Sequence, residues 1–114
     1  MGTMLVSFHS GGAPSGEGRL PVARLTGAKT ERVTTSGASA ATTLTALNGQ
    51  GTKSDGGMAT VTAVGVNLYV TAGAAPVAAY PGAGANTSGF PVMSGQTVSF
   101  AVAKGDKIAG IEFA

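Results

Sequence analysis

The chain has 114 residues, of which 19 are glycine, only 11% are charged and none is cysteine or tryptophan. The net charge is +2 and the basic residues are scattered without interleaved aromatics, so the sequence does not predict a nucleic-acid-binding face. The lack of cysteine excludes a disulfide framework and a thiolate nucleophile. No apolar run reaches the roughly 18 residues that a membrane-spanning helix needs.

The composition also limits the hydrophobic core. Alanine, glycine, threonine and serine make up a little over half of the chain and contribute little apolar area. Burying a large apolar side chain contributes about 1.5–3 kcal/mol, whereas ordering each backbone residue costs about 1–2 kcal/mol. Because no disulfide and no apparent metal site adds stability, we expect the chain to gain burial by associating with other chains.

Residues 1–30 are predicted to form an extended N-terminal arm and loop. A short apolar run at 4–8 is followed by a segment rich in glycine, serine and proline at 10–18, and by a second short apolar stretch at 20–25. Such composition is typical of loops rather than of a folded layer. The folded domain is therefore predicted over residues 31–114.

Two strands and a long turn are predicted next. β-branched residues indicate a strand over 31–35. The threonines and flanking glycines of 39–47 favour a second strand over a helix. The glycine-rich segment 48–57 is typical of a long flexible turn.

Residues 58–72 carry the clearest strand pattern. From residue 64 onward, apolar residues such as Leu68 alternate with Asn67 and Tyr69, which places Tyr69 on the more polar face. The apolar positions upstream are in the opposite phase. This slip predicts a bulge, or a bend between two sheets, at Gly65.

The last part of the chain continues as short strands. Alternation predicts a strand over 97–102, a turn at 104–107 and a final strand over 108–113, with a second phase change at Gly110. Residues 81–89 form a second predicted loop. Short strands at roughly ten-residue spacing predict an all-β fold: an antiparallel β-sandwich or small barrel of jelly-roll or immunoglobulin-like type.

Motifs that would indicate an enzyme are missing or incomplete. The sequence GAKT at 27–30 is only partly similar to the end of a phosphate-binding loop, in which lysine directly follows glycine, and Val22 occupies the position of the first glycine of that motif. His9 is the only histidine and is more typical of a solvated or hydrogen-bonded residue than of a catalytic base. The five carboxylates are too far apart in sequence to be paired by spacing. We therefore predict no enzyme, no cofactor and no metal site.

Three aromatic residues form the candidate contact surface. Tyr69 lies on the polar face of its strand, and Tyr80 and Phe90 flank the loop at 81–89. One interpretation is a stacking platform for a sugar. The favoured interpretation is that the rings cap the open end of a sandwich or are buried against a neighbouring subunit.

Several segments resemble small virion proteins of tailed bacteriophages. The sequence VNLYVTAGAAPVA at 66–78 is similar to their central strand and proline turn. GFPVMSGQ at 89–96 and SFAVAKGDKIA at 99–109 follow in the same order, with an aromatic strand and a closing Gly-Asp-Lys turn. RVTTS at 32–36 is similar to their first core strand. The resemblance covers residues 31–113.

The resemblance implies a head decoration (cement) protein on the capsid surface of a virion made in the host cytoplasm. Its implied partner is the major capsid protein, and its implied oligomer is a homotrimer at local threefold positions. The predicted arm of residues 1–30 would then contact the shell or a neighbouring subunit. Two alternatives remain open: a carbohydrate-binding module of a spike or fibre that uses Tyr69, Tyr80 and Phe90, and another head-completion or tail protein.

Overall fold

The computed structural model of the chain describes residues 2–9, 29–45, 57–103 and 105–114. These residues form eight β-strands and no helix, so none of them lies in a helix able to cross a membrane. The strands in chain order are β1 (Gly2–His9), β2 (Lys29–Thr35), β3 (Ala40–Ala41), β4 (Gly57–Val64), β5 (Asn67–Gly73), β6 (Phe90–Val92), β7 (Thr97–Val102) and β8 (Lys107–Phe113).

The strands form two four-stranded sheets packed face to face. The first sheet has the order β2-β1-β4-β7, the second has the order β3-β8-β5-β6, and every pair is antiparallel. The predicted all-β sandwich is therefore confirmed. The order is that of an eight-stranded jelly roll in which the strand between β2 and β4 comes from the start of the chain instead of its end.

Strand β1 corrects the predicted domain boundary. It lies inside the first sheet, where Leu5 is opposite Arg32 of β2 on one side and Thr62 of β4 on the other. Met4 and Phe8 are fully buried in the core. The prediction of an arm over residues 1–30 is therefore wrong for 2–9 and for the start of β2, while 10–28 lie outside the described residues. Pairing on both edges makes this short apolar run a core strand.

The bend predicted at Gly65 is confirmed. Strand β4 ends at Val64 in the first sheet, and β5 begins at Asn67 in the second sheet. Gly65 has a φ of 81°, a left-handed conformation that glycine adopts without the steric cost that a Cβ imposes. The phase slip in the sequence thus marks the point at which the chain changes sheets.

The strand predicted over 39–47 is much shorter than expected. Strand β3 is limited to Ala40–Ala41, which pair with β8, and the amide of Thr42 donates one further hydrogen bond to the Ile108 carbonyl at 2.8 Å. Beyond it, the amides of Thr43 and Leu44 donate hydrogen bonds to the Glu31 carboxylate, each over 2.9 Å. The strand prediction is therefore wrong for residues 43–45, because the Glu31 carboxylate accepts the amide hydrogens of Thr43 and Leu44, while residues 46–47 lie outside the described residues. Of the predicted turn at 48–57, residues 48–56 lie outside the described residues.

The phase change at Gly110 is not a bulge. The pairing of β8 with β5 runs without a break from Lys107 opposite Gly73 to Phe113 opposite Asn67. A Cβ added at Gly110 would lie 2.8 Å from Met4 Sδ, so glycine lets Met4 of the opposite sheet approach. Apolar residues occur on both faces of β8 because its outer face is also covered: the ring of Tyr80 stacks on Phe113.

Candidate interaction surface

Residues 74–89, here called the covering segment, lie over the outer face of the second sheet. Ala78 is buried, and its amide donates a hydrogen bond of 2.9 Å to Ser39 Oγ. The Tyr69 hydroxyl donates to the carbonyl oxygen of Thr87 at 3.1 Å and lies 3.2 Å from its hydroxyl. A Cβ at Gly89 would collide with the Tyr69 ring, so glycine is required at this close approach. The segment thus adds a partial third layer to the sandwich.

Tyr69 is a structural residue beneath this layer. It occupies the predicted face, opposite to the core, but only 7% of its surface is exposed. The ring of Tyr80 lies edge-on to it at 5.6 Å, and Tyr80 also stacks on Phe113 with ring centres 4.4 Å apart. These contacts remove Tyr69 from the predicted contact surface, because its faces are not available to a ligand.

Phe90 lies on a different surface from Tyr69 and Tyr80. It is opposite Val70 in the pairing of β6 with β5, and Val70 belongs to the core between the sheets. Its ring packs edge-to-face on Phe100 of β7, with ring centres 5.6 Å apart. The structure therefore brings Tyr69 and Tyr80 together and separates them from Phe90. The three rings do not form one stacking platform.

The Phe90–Phe100 contact spans the two edge strands β6 and β7, which form what we call the open side of the sandwich. About half of Phe90 is exposed, and Met93 in the turn that follows β6 is 46% exposed. A cavity of about 180 Å³ lies beside these rings. Its lining is mostly apolar and comes from Val70, Thr71, Ala72, Gly89, Phe90, Phe100, Ala101, Val102 and Ile108. The open side therefore presents apolar surface that the described residues do not fill.

The opposite side, formed by β2 and β3, is closed by a carboxylate. Glu31 of the first sheet accepts the amide hydrogens of Thr43 and Leu44, which follow β3 in the second sheet. Burial raises the pKa of Glu31, but these hydrogen bonds, with help from the charge of Lys107, outweigh burial and lower the pKa below its usual value. The ionised carboxylate thus holds this side together.

The sequence did not single out Phe100 and Phe113, whose rings contact Phe90 and Tyr80 respectively. Each belongs to a strand that the alternation predicted correctly. The small number of aromatic residues was a usable signal: with only four phenylalanines and two tyrosines, every ring is a candidate for a contact with another ring. Which ring meets which depends on the pairing of distant strands, and the local pattern does not contain that information.

Several polar side chains of the described residues form hydrogen-bonded pairs. His9 is buried, and its Nε2 lies 2.9 Å from Thr60 Oγ1, so the interpretation of a hydrogen-bonded histidine is confirmed. Thr60 in turn contacts Ser99 at 3.0 Å on the outer face of the first sheet. Within the described part of the chain, no group of three or more histidines and carboxylates is close enough to hold a metal ion.

Comparisons of the chain with models of protein families, with curated proteins and with solved structures find no match. The functional argument therefore depends on the fold and on the open side.

Proposed function

We propose that the chain is a non-enzymatic structural protein of a tailed-phage particle, which binds the major capsid protein on the head surface as an oligomer. Association with another chain is supported by one observation above the others: the open side exposes Phe90 and Met93, and Phe90 lines an apolar cavity that the described residues leave unfilled. Assignment to a phage depends on the resemblance of residues 31–113 and not on the geometry.

The small core supports a role in assembly. Its larger members are Phe8, Met4, Leu68 and Ile108, and the remainder is mostly valine and alanine. A domain with so little buried apolar area is stabilised by mass action when it binds another chain. An apolar side that closes on a neighbour would both increase burial and cross-link the assembly.

An arm role is no longer proposed for residues 2–9, because β1 is held in the first sheet on both edges. A deletion of residues 1–30 would remove a central strand and unfold the domain instead of testing an arm. Capsid binding is therefore attributed to the folded sandwich.

The proposal is tested by binding of the purified chain to undecorated heads. We expect the chain to co-sediment with the heads at a saturable ratio and to raise the temperature at which they rupture. A chain unfolded by heat before mixing is the control. Failure to co-sediment, with the folded chain shown to be intact by circular dichroism, would contradict the proposal.

The carbohydrate-binding alternative is less well supported. Its three rings lie on two surfaces, and Tyr69 is covered by Tyr80 and the 74–89 segment. We expect a glycan array to show no binding. The alternative of a head-completion or tail protein differs from decoration in the number of copies per particle.

A further inference from the structure

We infer that β7 is the self-association edge of the domain: a second copy of the chain pairs with it in antiparallel fashion through its own β7, across a twofold axis. The inference rests on the oligomer in the proposed function, identifies the strand that forms it, and replaces the homotrimer implied by the resemblance with a twofold dimer. The first sheet of one copy then joins the first sheet of the other copy, and together they form one continuous sheet.

The four edge strands differ in how well they resist pairing. Strand β3 has two residues, and β6 has three with Pro91 at its centre, which lacks an amide hydrogen. Strand β2 carries Lys29, Glu31 and Arg32. Strand β7 has six residues, Thr-Val-Ser-Phe-Ala-Val, with neither charge nor proline. Charge, proline and short length protect sheet edges, so β7 is the one unprotected edge among the described strands.

The hydrogen-bond pattern shows which backbone groups of β7 face outward. The Ala63 amide donates to the Gln96 carbonyl at 3.2 Å, which marks the residue before β7 as a hydrogen-bonded partner of β4. Hydrogen-bonded and non-hydrogen-bonded pairs alternate along an antiparallel ladder. Thr97, Ser99 and Ala101 therefore direct their N–H and C=O groups away from β4, and no described backbone group pairs with them.

The side-chain pattern of β7 is self-complementary. Phe100 and Val102 face the core side and alternate with Ser99 and Ala101, which face outward. When Phe100 lies opposite Phe100 of the partner subunit in an antiparallel pair, the core-facing side chains of both copies lie on the same face of the joined sheet. In that register Ser99 is opposite Ala101 of the partner subunit, and neither sheet is reversed. A twofold contact needs this kind of self-matching surface.

The neighbouring side chains enlarge the contact. A strand edge alone is smaller than the roughly 1,200–2,000 Å² that stable interfaces bury. Phe90 and Met93 are each about half exposed beside β7 and add apolar area on the same side. Since β7 has no charge, approach of an identical copy carries no like-charge repulsion along the strand.

The experiment compares the solution mass of the chain with that of two matched proline variants by analytical ultracentrifugation. Ala101→Pro removes an outward amide that the partner would use. Thr34→Pro makes the same change at an outward, exposed position of the opposite edge strand β2. We expect a dimer for the natural chain and for Thr34→Pro. For Ala101→Pro we expect association weaker by at least about tenfold, equivalent to about 1.4 kcal/mol.

Cysteine variants provide a second measurement that does not depend on proline tolerance. Because the chain has no cysteine, a disulfide in a single-cysteine variant must join two chains. Phe100→Cys places the thiols opposite each other across the axis, where non-hydrogen-bonded pairs have Cα atoms about 4.5 Å apart. Thr97→Cys lies away from the axis. We expect oxidation to give a dimer from Phe100→Cys and much less from Thr97→Cys.

Three results would overturn the inference: a monomer, a trimer, or a dimer that Ala101→Pro and Thr34→Pro affect equally. They are distinct from failure of the proposed function. A monomer that still binds heads would reject β7 pairing and leave the capsid role standing. A β7 dimer that does not bind heads would reject the capsid role and leave β7 pairing standing.

Discussion

The hydroxyl of Thr35, at the end of β2, donates a hydrogen bond of 2.8 Å to Oε2 of Glu112, near the end of β8. The same oxygen accepts the Gly2 amide hydrogen, also over 2.8 Å. The carboxylate therefore links β1 and β2 of the first sheet to the second sheet. The hydrogen bond from Thr35 and the one from Gly2 lower the pKa of Glu112 below its usual value near 4.5.

This link predicts a dependence of stability on pH. A carboxyl group whose pKa is lowered in the folded state stabilises that state above its unfolded pKa, and the contribution is lost as pH falls through the folded pKa. We expect the melting temperature to fall as the pH drops below about 4.5, the ordinary value for Glu112 and also for Glu31. Thermal melts from pH 7 to pH 2.5 measure this.

Glu112→Gln should melt at a lower temperature than the natural chain at pH 7 and show a smaller loss on acidification. Glu31 continues to titrate in the variant and keeps part of the pH dependence. Identical pH profiles for the variant and the natural chain would contradict the role assigned to Glu112.

The position of β1 predicts a large effect of one substitution and a small effect of its neighbour. Met4 is fully buried between the sheets, whereas Leu5 lies on the outer face opposite Arg32. Met4→Ala should lower the free energy of unfolding by about 2–5 kcal/mol, as for other large-to-small core changes. Leu5→Ala should cost clearly less. Equal costs in urea denaturation would show that β1 is not a core strand.

The bend between β4 and β5 predicts a penalty for a side chain at residue 65. Gly65 has a positive φ, and a left-handed conformation costs a residue with a Cβ about 1–2 kcal/mol. Gly65→Ala should therefore destabilise the domain by about that amount. Gly73→Ala is the control, because its Cβ would meet nothing within 4 Å and its φ is not in the left-handed region. Equal effects on the melting temperature would refute the strain argument.

The covering segment predicts different effects for the two tyrosines. Tyr69→Phe removes the hydroxyl that bonds to Thr87, so it should cost about 0.5–1.5 kcal/mol of unfolding free energy. Tyr80→Phe should leave stability almost unchanged, because its hydroxyl makes no hydrogen bond to the described residues. Chemical denaturation of both variants is the measurement, and the prediction fails if Tyr80→Phe is the more destabilising change.

Local patterns predicted the elements that local geometry decides. Alternation located β7, and the phase slip located the bend at Gly65, since both depend on adjacent residues. The role of β1 was missed because a short apolar run before a glycine-rich segment becomes central only through pairing with β2 and β4. The face of Tyr69 was predicted correctly, but its burial depends on Thr87, which lies 18 residues further along the chain.

The proposed function places the chain in a tailed-phage particle, and the measurement that tests it most directly is the number of copies of the chain in purified particles. Quantitative mass spectrometry against the major capsid protein gives this ratio. A decoration protein should be present in a number that scales with the capsid lattice. Absence from the particle, or a small fixed number typical of a neck or tail component, would contradict the account.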